Sequence, residues 1–210
     1  MTSNPAVLDF PMWLNYRDCD LQGHCKLSTL LTLFTEVAGI HYVRLGLDRQ
    51  MLLNNDFVFL LNQVSLQVHE MPTSNRPVVV RTWAGGYHRL VFFRNFELRS
   101  DSGELLVSAR SSWVLVHPHS RVIVRPEQFP SDYVPVWDQP VAAPELKRLK
   151  FPPDGEHCGD WTARYGDIDC NHHVNNAVYA EIACNQLPLE VFQTPPRQLQ
   201  LHFAKETLHE

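Results

Sequence analysis

One nine-residue pattern occurs twice in this 210-residue chain, and any fold for it has to explain both copies. Tyr16-Arg17-Asp18-Cys19-Asp20-Leu21-Gln22-Gly23-His24 returns as Tyr165-Gly166-Asp167-Ile168-Asp169-Cys170-Asn171-His172-His173. The Tyr, both Asp and the final His match, and Gln22 faces another amide, Asn171. Each copy lies between a predicted strand and an amphipathic helix. Further on, Gln63-Val64-Ser65-Leu66 matches Gln198-Leu199-Gln200-Leu201, at a shorter spacing because the second helix and loop are shorter. Two matched segments in the same order and the same setting indicate a repeated structural unit.

The elements of that unit follow from hydrophobic periodicity. Over residues 27–45, Leu27, Leu30, Leu31, Phe34, Ala38, His41, Tyr42 and Leu45 fall near helical spacing, and Gly46 supplies the stop. Runs rich in β-branched and aromatic residues follow at Phe57 to Val68, Val78 to Trp83, Leu90 to Leu98 and Leu105 to Val116, with Val122 to Val124 behind them. Gly85-Gly86, Asp101-Ser102-Gly103 and Pro118 stand between the later runs as turn signals. The expected result is an antiparallel sheet wrapped around one helix. Pro126, Pro130, Pro135, Pro140, Pro144, Pro152 and Pro153 then exclude a continuous helix or a central strand. Beyond this linker, Trp161 to Tyr165 predicts a strand, Val174 to Leu187 a helix closed by Pro188, and Gln198 to Lys205 another strand. The expected division is a first unit over 1–125, a Pro-rich linker over 126–158 and a partial second unit over 159–210.

Composition narrows the class of function. With 44% hydrophobic and 20% charged residues and no apolar run of 18 or more, a soluble globular protein is expected. The start MTSNPAVLDF lacks the basic and apolar regions of a secretory signal. The five cysteines form no C-x-x-C, so reduced thiols in the cytoplasm are expected, with no plastid transit peptide seen. A net charge of -5 argues against nucleic acid, and Lys147-Arg148-Leu149-Lys150 fits a solvated linker. No membrane association is expected. Neither G-x-S-x-G nor a phosphate-binding glycine loop is present.

The second copy carries the chemistry. Asp169, Asn171 and His173 alternate along a segment expected to be extended, which would project their side chains to one side. Asn171 can donate through its amide and His173 through a ring nitrogen, while Asp169 can orient a neighbour. Other duties remain open. Asp167 fits a helix cap or turn, Asn175-Asn176 a helix start, and Asp20 with His24 a structural role. A metal site from Asp167, Asp169, His172 and His173 is the rival for the cluster, although no ordered ligand spacing supports it. No metal and no cofactor is expected.

The pattern D-x-D-x-N-x-H-V-N-N-x-x-Y, as it stands from Asp167 to Tyr179, resembles the second half of the acyl-[acyl carrier protein] thioesterases. The first half is similar to theirs in Asp20-x-x-Gly23-His24-x-x-Leu27, the following helix and the Thr82-Trp83 strand. The resemblance implies an α+β double hotdog, an antiparallel sheet around a central helix, repeated, with the second hotdog incomplete. It implies hydrolysis of fatty acyl-[acyl carrier protein] thioesters in fatty acid biosynthesis. The implied catalytic set is Asp169, Asn171, His173 and Glu206, with Glu206 as base or nucleophile. Aligning the halves puts Met71 opposite Glu206, and a thioether does no acid–base work, so the first half is expected to be silent. The expected partner is acyl carrier protein, with a homodimer as an open possibility. Arg81, Arg89, Arg94, Arg99 and Arg110 are candidates to meet it, and Phe57 to Leu61 and Leu90 to Phe93 are candidates for the acyl pocket. Two alternatives stand beside this reading: an acyl-CoA thioesterase, and a non-catalytic acyl binder or hotdog remnant, suggested by the short second half.

Overall fold

A computed structural model describes residues 4–130, 134–150 and 152–204. The long apolar face forms α1 (Leu27–Arg44), burying Leu27, Leu30, Leu31, Phe34, Val37, Ala38 and His41. Gly46, at φ +79°, ends it. The Gly46 amide bonds Val43 O at 3.0 Å and the Leu47 amide bonds Tyr42 O at 2.9 Å, the paired bonds of a Schellman stop, and buried Leu47 supplies its apolar contact. Completely burying a leucine such as Leu30 contributes roughly 1.5–3 kcal/mol, so this face alone commits α1 to the sheet.

That sheet is antiparallel throughout. β1 (Val7–Leu14) precedes the first copy of the repeat, and β2 (Val58–Val68), β3 (Arg76–His88), β4 (Val91–Ser100) and β5 (Leu105–Val116) follow α1. A short α2 (Arg49–Asn54) lies between α1 and β2, capped by Asp48, whose carboxylate accepts from the Met51 amide at 2.7 Å. Past the linker come α3 (Asn176–Asn185) and β6 (Gln198–His202), and the strand order is β1-β3-β4-β5-β2-β6. Alternate residues Val64, Leu66, Val80, Phe96, Leu98, Val107 and Ala109 form the face toward α1. On the opposite face the linker is pinned down. Trp83 donates to Gln139 O at 3.3 Å and meets the Trp137 ring at 5.3 Å, and Ser65 donates to Pro144 O at 2.6 Å.

Three sequence expectations are corrected here. Gly85-Gly86 is no turn but a bulge inside β3, where the pairing with β4 shifts between Ala84 and Tyr87. Gly86 has φ +76°, and a Cβ on Gly85 would meet Asn95 Nδ2 at 2.9 Å, so this irregularity needs both glycines. Trp161 to Tyr165 forms no strand, because no ladder partner lies beside it among the described residues; Tyr165–Asp167 is a single 3-10 turn. Val122 to Val124 contributes only an isolated bridge, Val116 to Ile123.

The second unit joins the first through β6. Gln63 pairs with His202, Ser65 with Gln200 and Gln67 with Gln198. The sequence alignment makes Gln63 equivalent to Gln198, Ser65 to Gln200 and Gln67 to His202. Exchanging the two copies therefore leaves the register unchanged, so the two strands are related by a local twofold through the Ser65–Gln200 pair. α3 packs on α1 in keeping with that relation.

Candidate active site

Both copies of the repeat are tight turns closed by their second aspartate. In the first, Asp20 Oδ1 accepts from the Gln22 amide at 2.9 Å and the His24 amide at 3.0 Å, and the Asp20 amide bonds His24 O at 2.8 Å. In the second, Asp169 Oδ1 accepts from Asn171 at 2.8 Å and His173 at 3.5 Å, and the Asp169 amide bonds His173 O at 2.9 Å. The segment is thus not extended, because the Asp169 carboxylate draws the chain back on itself. One left-handed residue completes each turn: Gly23 at φ +78° and His172 at φ +63°. The first aspartate of each copy caps the preceding 3-10 turn, Asp18 accepting from Asn15 and Asp167 from Arg164, both at 2.8 Å. Asn175 caps α3 by accepting from the Ala177 amide at 2.9 Å.

What the two turns face is different. Asp169, Asn171 and His173 line a cleft of about 990 Å³ whose other walls are α1 and the first residues of β2, including Ile40, Val43, Phe59 and Leu60. Behind that wall Phe59 packs in an aromatic cluster with Phe92 at 5.2 Å and Phe129 at 5.3 Å. The β6 end reaches the same cleft at Phe203 and Ala204, with Phe203 against the Tyr179 ring at 5.4 Å. Glu206 lies outside the described residues. Asp20 and His24 line a separate pocket of about 260 Å³ against the end of α3, and Met71 is among its walls. Burial raises the pKa of Cys25 in that pocket and, to a lesser degree of burial, of Cys19 beside it, which keeps both as thiols rather than nucleophilic thiolates.

The arginines are redistributed. Arg81 makes a two-pronged pair with Asp9 at 2.7 and 2.8 Å, and Arg99 bonds Glu97 at 2.9 Å. Arg94 is buried beneath α1, donating to His41 Nδ1 at 2.6 Å and Thr82 Oγ1 at 3.0 Å. Burial, reinforced by Arg94, lowers the His41 pKa, and the neutral ring bonds Pro5 O at 3.0 Å through Nε2. Arg110 stacks on Phe93 at 4.5 Å. Internal contacts thus engage four of the five arginines named for a carrier surface. Beside the second turn stand Arg49 and Arg121, which carry no sequence signal: Arg49 lies in a helix too short to show periodicity, and Arg121 in a turn. Asp169 is likewise engaged by two backbone amides, which accounts for it without a metal; among the described residues no group of three or more His, Cys, Asp or Glu is placed to hold one.

An amphipathic helix packed in an antiparallel sheet, with a second helix and strand added about a local twofold, defines a double-hotdog protein, and its Asn–His turn opens on a large cleft. Family comparison names the branch. The Acyl-ACP thioesterase N-terminal domain matches residues 7–134 and the C-terminal domain matches residues 153–210, so the chain belongs to the acyl-ACP thioesterase family. It is 27% identical over 182 residues to the chloroplastic acyl-[acyl-carrier-protein] hydrolase FATB3 of Cuphea viscosissima, covering 80% of this chain and 44% of that protein. It is 27% identical over 146 residues to the dodecanoyl-[acyl-carrier-protein] hydrolase of Umbellularia californica, covering 66% and 38%. The chain spans less than half the length of these relatives. An acyl-ACP thioesterase of Bacteroides thetaiotaomicron shares the fold at TM-score 0.88 and 24% identity, over 97% of this chain and 83% of that one. The 12:0-ACP thioesterase of Umbellularia californica does so at TM-score 0.86 and 19% identity, over 100% and 86%.

Proposed function

We propose that this protein hydrolyses fatty acyl-[acyl carrier protein] thioesters to the free acid and the carrier thiol. The observation that carries the proposal is that Asn171 and His173 share one cleft with the apolar side chains of Ile40, Val43, Phe59, Leu60 and Leu61. In this reading an acyl chain lies along Ile40, Val43 and the start of β2, and its thioester carbonyl meets Asn171 and His173. Hydrogen bonds from those two groups stabilise the oxygen as negative charge develops on it. Glu206, two residues beyond Ala204 in the sequence, takes a proton from water as the hydroxide portion bonds to the carbonyl carbon. The tetrahedral intermediate then collapses, and as the C–S bond breaks the protonated Glu206 returns its proton to the leaving sulfur, which departs as the thiol. Asp169 holds the turn and so keeps both donors in place. The five unpaired cysteines support a reducing, cytoplasmic setting for the same proposal.

The test is a panel of acyl chains on carrier protein and on coenzyme A, assayed with the wild type and with Glu206→Gln. Turnover on the carrier protein, reduced about 100-fold or more in Glu206→Gln with an unchanged melting curve, is the expected result. Faster turnover of the same chain on coenzyme A would reassign the substrate carrier. Binding without turnover would replace hydrolysis by acyl binding, and equal turnover in Glu206→Gln would remove that residue from the mechanism.

A further inference from the structure

Asn171 and His173 each carry an acceptor atom as well as a donor, and in both an arginine from the first half of the chain stands against the acceptor. Arg49, the first residue of α2, places Nε 3.4 Å from Asn171 Oδ1. Arg121, in the turn after β5, places a guanidinium nitrogen 3.3 Å from His173 Nε2. A guanidinium has only donors and stays protonated across the working pH range. The direction of both bonds is therefore fixed. Asn171 accepts through its oxygen, which turns its NH2 group the other way, and His173 accepts through Nε2, which leaves the proton of the neutral ring on Nδ1.

We infer that Arg49 and Arg121 are positioning residues that fix Asn171 and His173 as hydrogen-bond donors toward the cleft, Asn171 through Nδ2 and His173 through Nδ1. The one lone pair of the neutral His173 ring is then committed to Arg121, and Asn171, an amide, is no base. The pair stabilises an oxyanion and leaves general-base work to another residue. This use of the pair rests on the hydrolase reading; the orientation itself does not.

The turn is built to hold Arg121 in place. The His117 amide bonds Val122 O and the Arg121 amide bonds His117 O, both at 2.9 Å, and Arg121 itself adopts φ +57°. A non-glycine residue in that region costs of order 1 kcal/mol, which the surrounding turn has to offset. Both arginines reach across from one half to the other, 122 residues to Asn171 and 52 to His173. The donor geometry of the second-half motif is thus set by the first half.

The test separates orientation from activity. In the full chain labelled with 15N-histidine, with His173 assigned by its loss in His173→Gln, the wild type is expected to show a protonated Nδ1 and a bare Nε2. Arg121→Asn, which tolerates positive φ and is too short to reach the ring, is expected to move the proton toward Nε2 and to lower kcat by about 10- to 100-fold with KM within about twofold. Arg121→Lys, a shorter-range donor, should restore part of both. Arg49→Leu should lower kcat by about threefold to tenfold, through Asn171 alone. A protonated Nε2 in the wild type, an unmoved tautomer in Arg121→Asn, or a loss confined to KM would each overturn the inference, the last marking Arg121 as a substrate contact. If the wild type turned over no acyl thioester while the tautomer still followed Arg121, the hydrolase reading would fail and the orienting role would stand.

Discussion

The turns at Asp20–His24 and Asp169–His173 are closed by the same hydrogen bonds, yet one faces a pocket of about 260 Å³ walled in part by a thioether, and the other faces a cleft of about 990 Å³ and has two arginines against its side chains. The difference teaches that the Asp–x–amide–x–His pattern is first a way of folding the chain and only second a piece of chemistry. Its aspartate does the same backbone work in both places. Chemistry depends on what stands opposite the amide and the imidazole, and that is supplied by the other half of the molecule.

The sharpest way to break this comparison is to remove the polar side chains from each turn. Asn171→Ala and His173→Ala are each expected to lower kcat about 100-fold, whereas Gln22→Ala and His24→Ala should change it less than about threefold. Equal losses from the two turns, measured with one acyl-carrier substrate, would end the division into working and silent halves. The aspartates should behave differently, because each joins two backbone amides. Asp20→Ala and Asp169→Ala are both expected to cost about 1–2 kcal/mol in chemical denaturation, while only Asp169→Ala also loses turnover, by roughly tenfold. A stability loss in one variant alone would show that the turns are not equivalent scaffolds. The smallest effect tests the left-handed residue. Gly23→Ala has open space for its Cβ, with Ser74 Oγ at 3.8 Å, so it should lose about 1 kcal/mol through backbone strain alone. His172→Gly should gain roughly 0.5 kcal/mol, relief of the same strain less the added freedom of the unfolded chain. A shift of the same sign in both melting temperatures would contradict this account.

Much of this was legible before any coordinates. The repeat located both copies of the motif, though the second was expected to be extended and is a turn, and the helical spacing of Leu27, Leu30, Leu31 and Phe34 located α1, because burial on one side of a helix leaves a periodic trace. The runs of β-branched and aromatic residues in β2 and β5 did the same for the sheet. Glycine was the weak signal at Gly85-Gly86, since the freedom that allows a turn also allows a bulge, and only the β4 partner decides between them. Trp161 to Tyr165 has strand-like residues and no ladder, and propensity without a partner does not make a strand. The site was half legible. Asn171 and His173 stand in a local pattern, but Arg49 and Arg121 act across long separations, and no spacing in the sequence marks a residue whose role is defined by a distant acceptor.

The twofold register of β2 and β6 also bears on how the chain is made. Gln67 and Gln198 meet although 131 residues separate them, so on a ribosome β1 to β5 are complete long before β6 exists. During that interval Gln63–Gln67 of β2, the stretch that later pairs with β6, lies on an edge with a free row of backbone donors and acceptors. An incomplete chain at this stage presents the template on which two nascent copies pair, and slow synthesis between the linker and β6 prolongs the exposure. Arrival of Gln198–His202 pairs the Gln63–Gln67 part of that edge, so the strand that brings the chain to the cleft also shortens the free row.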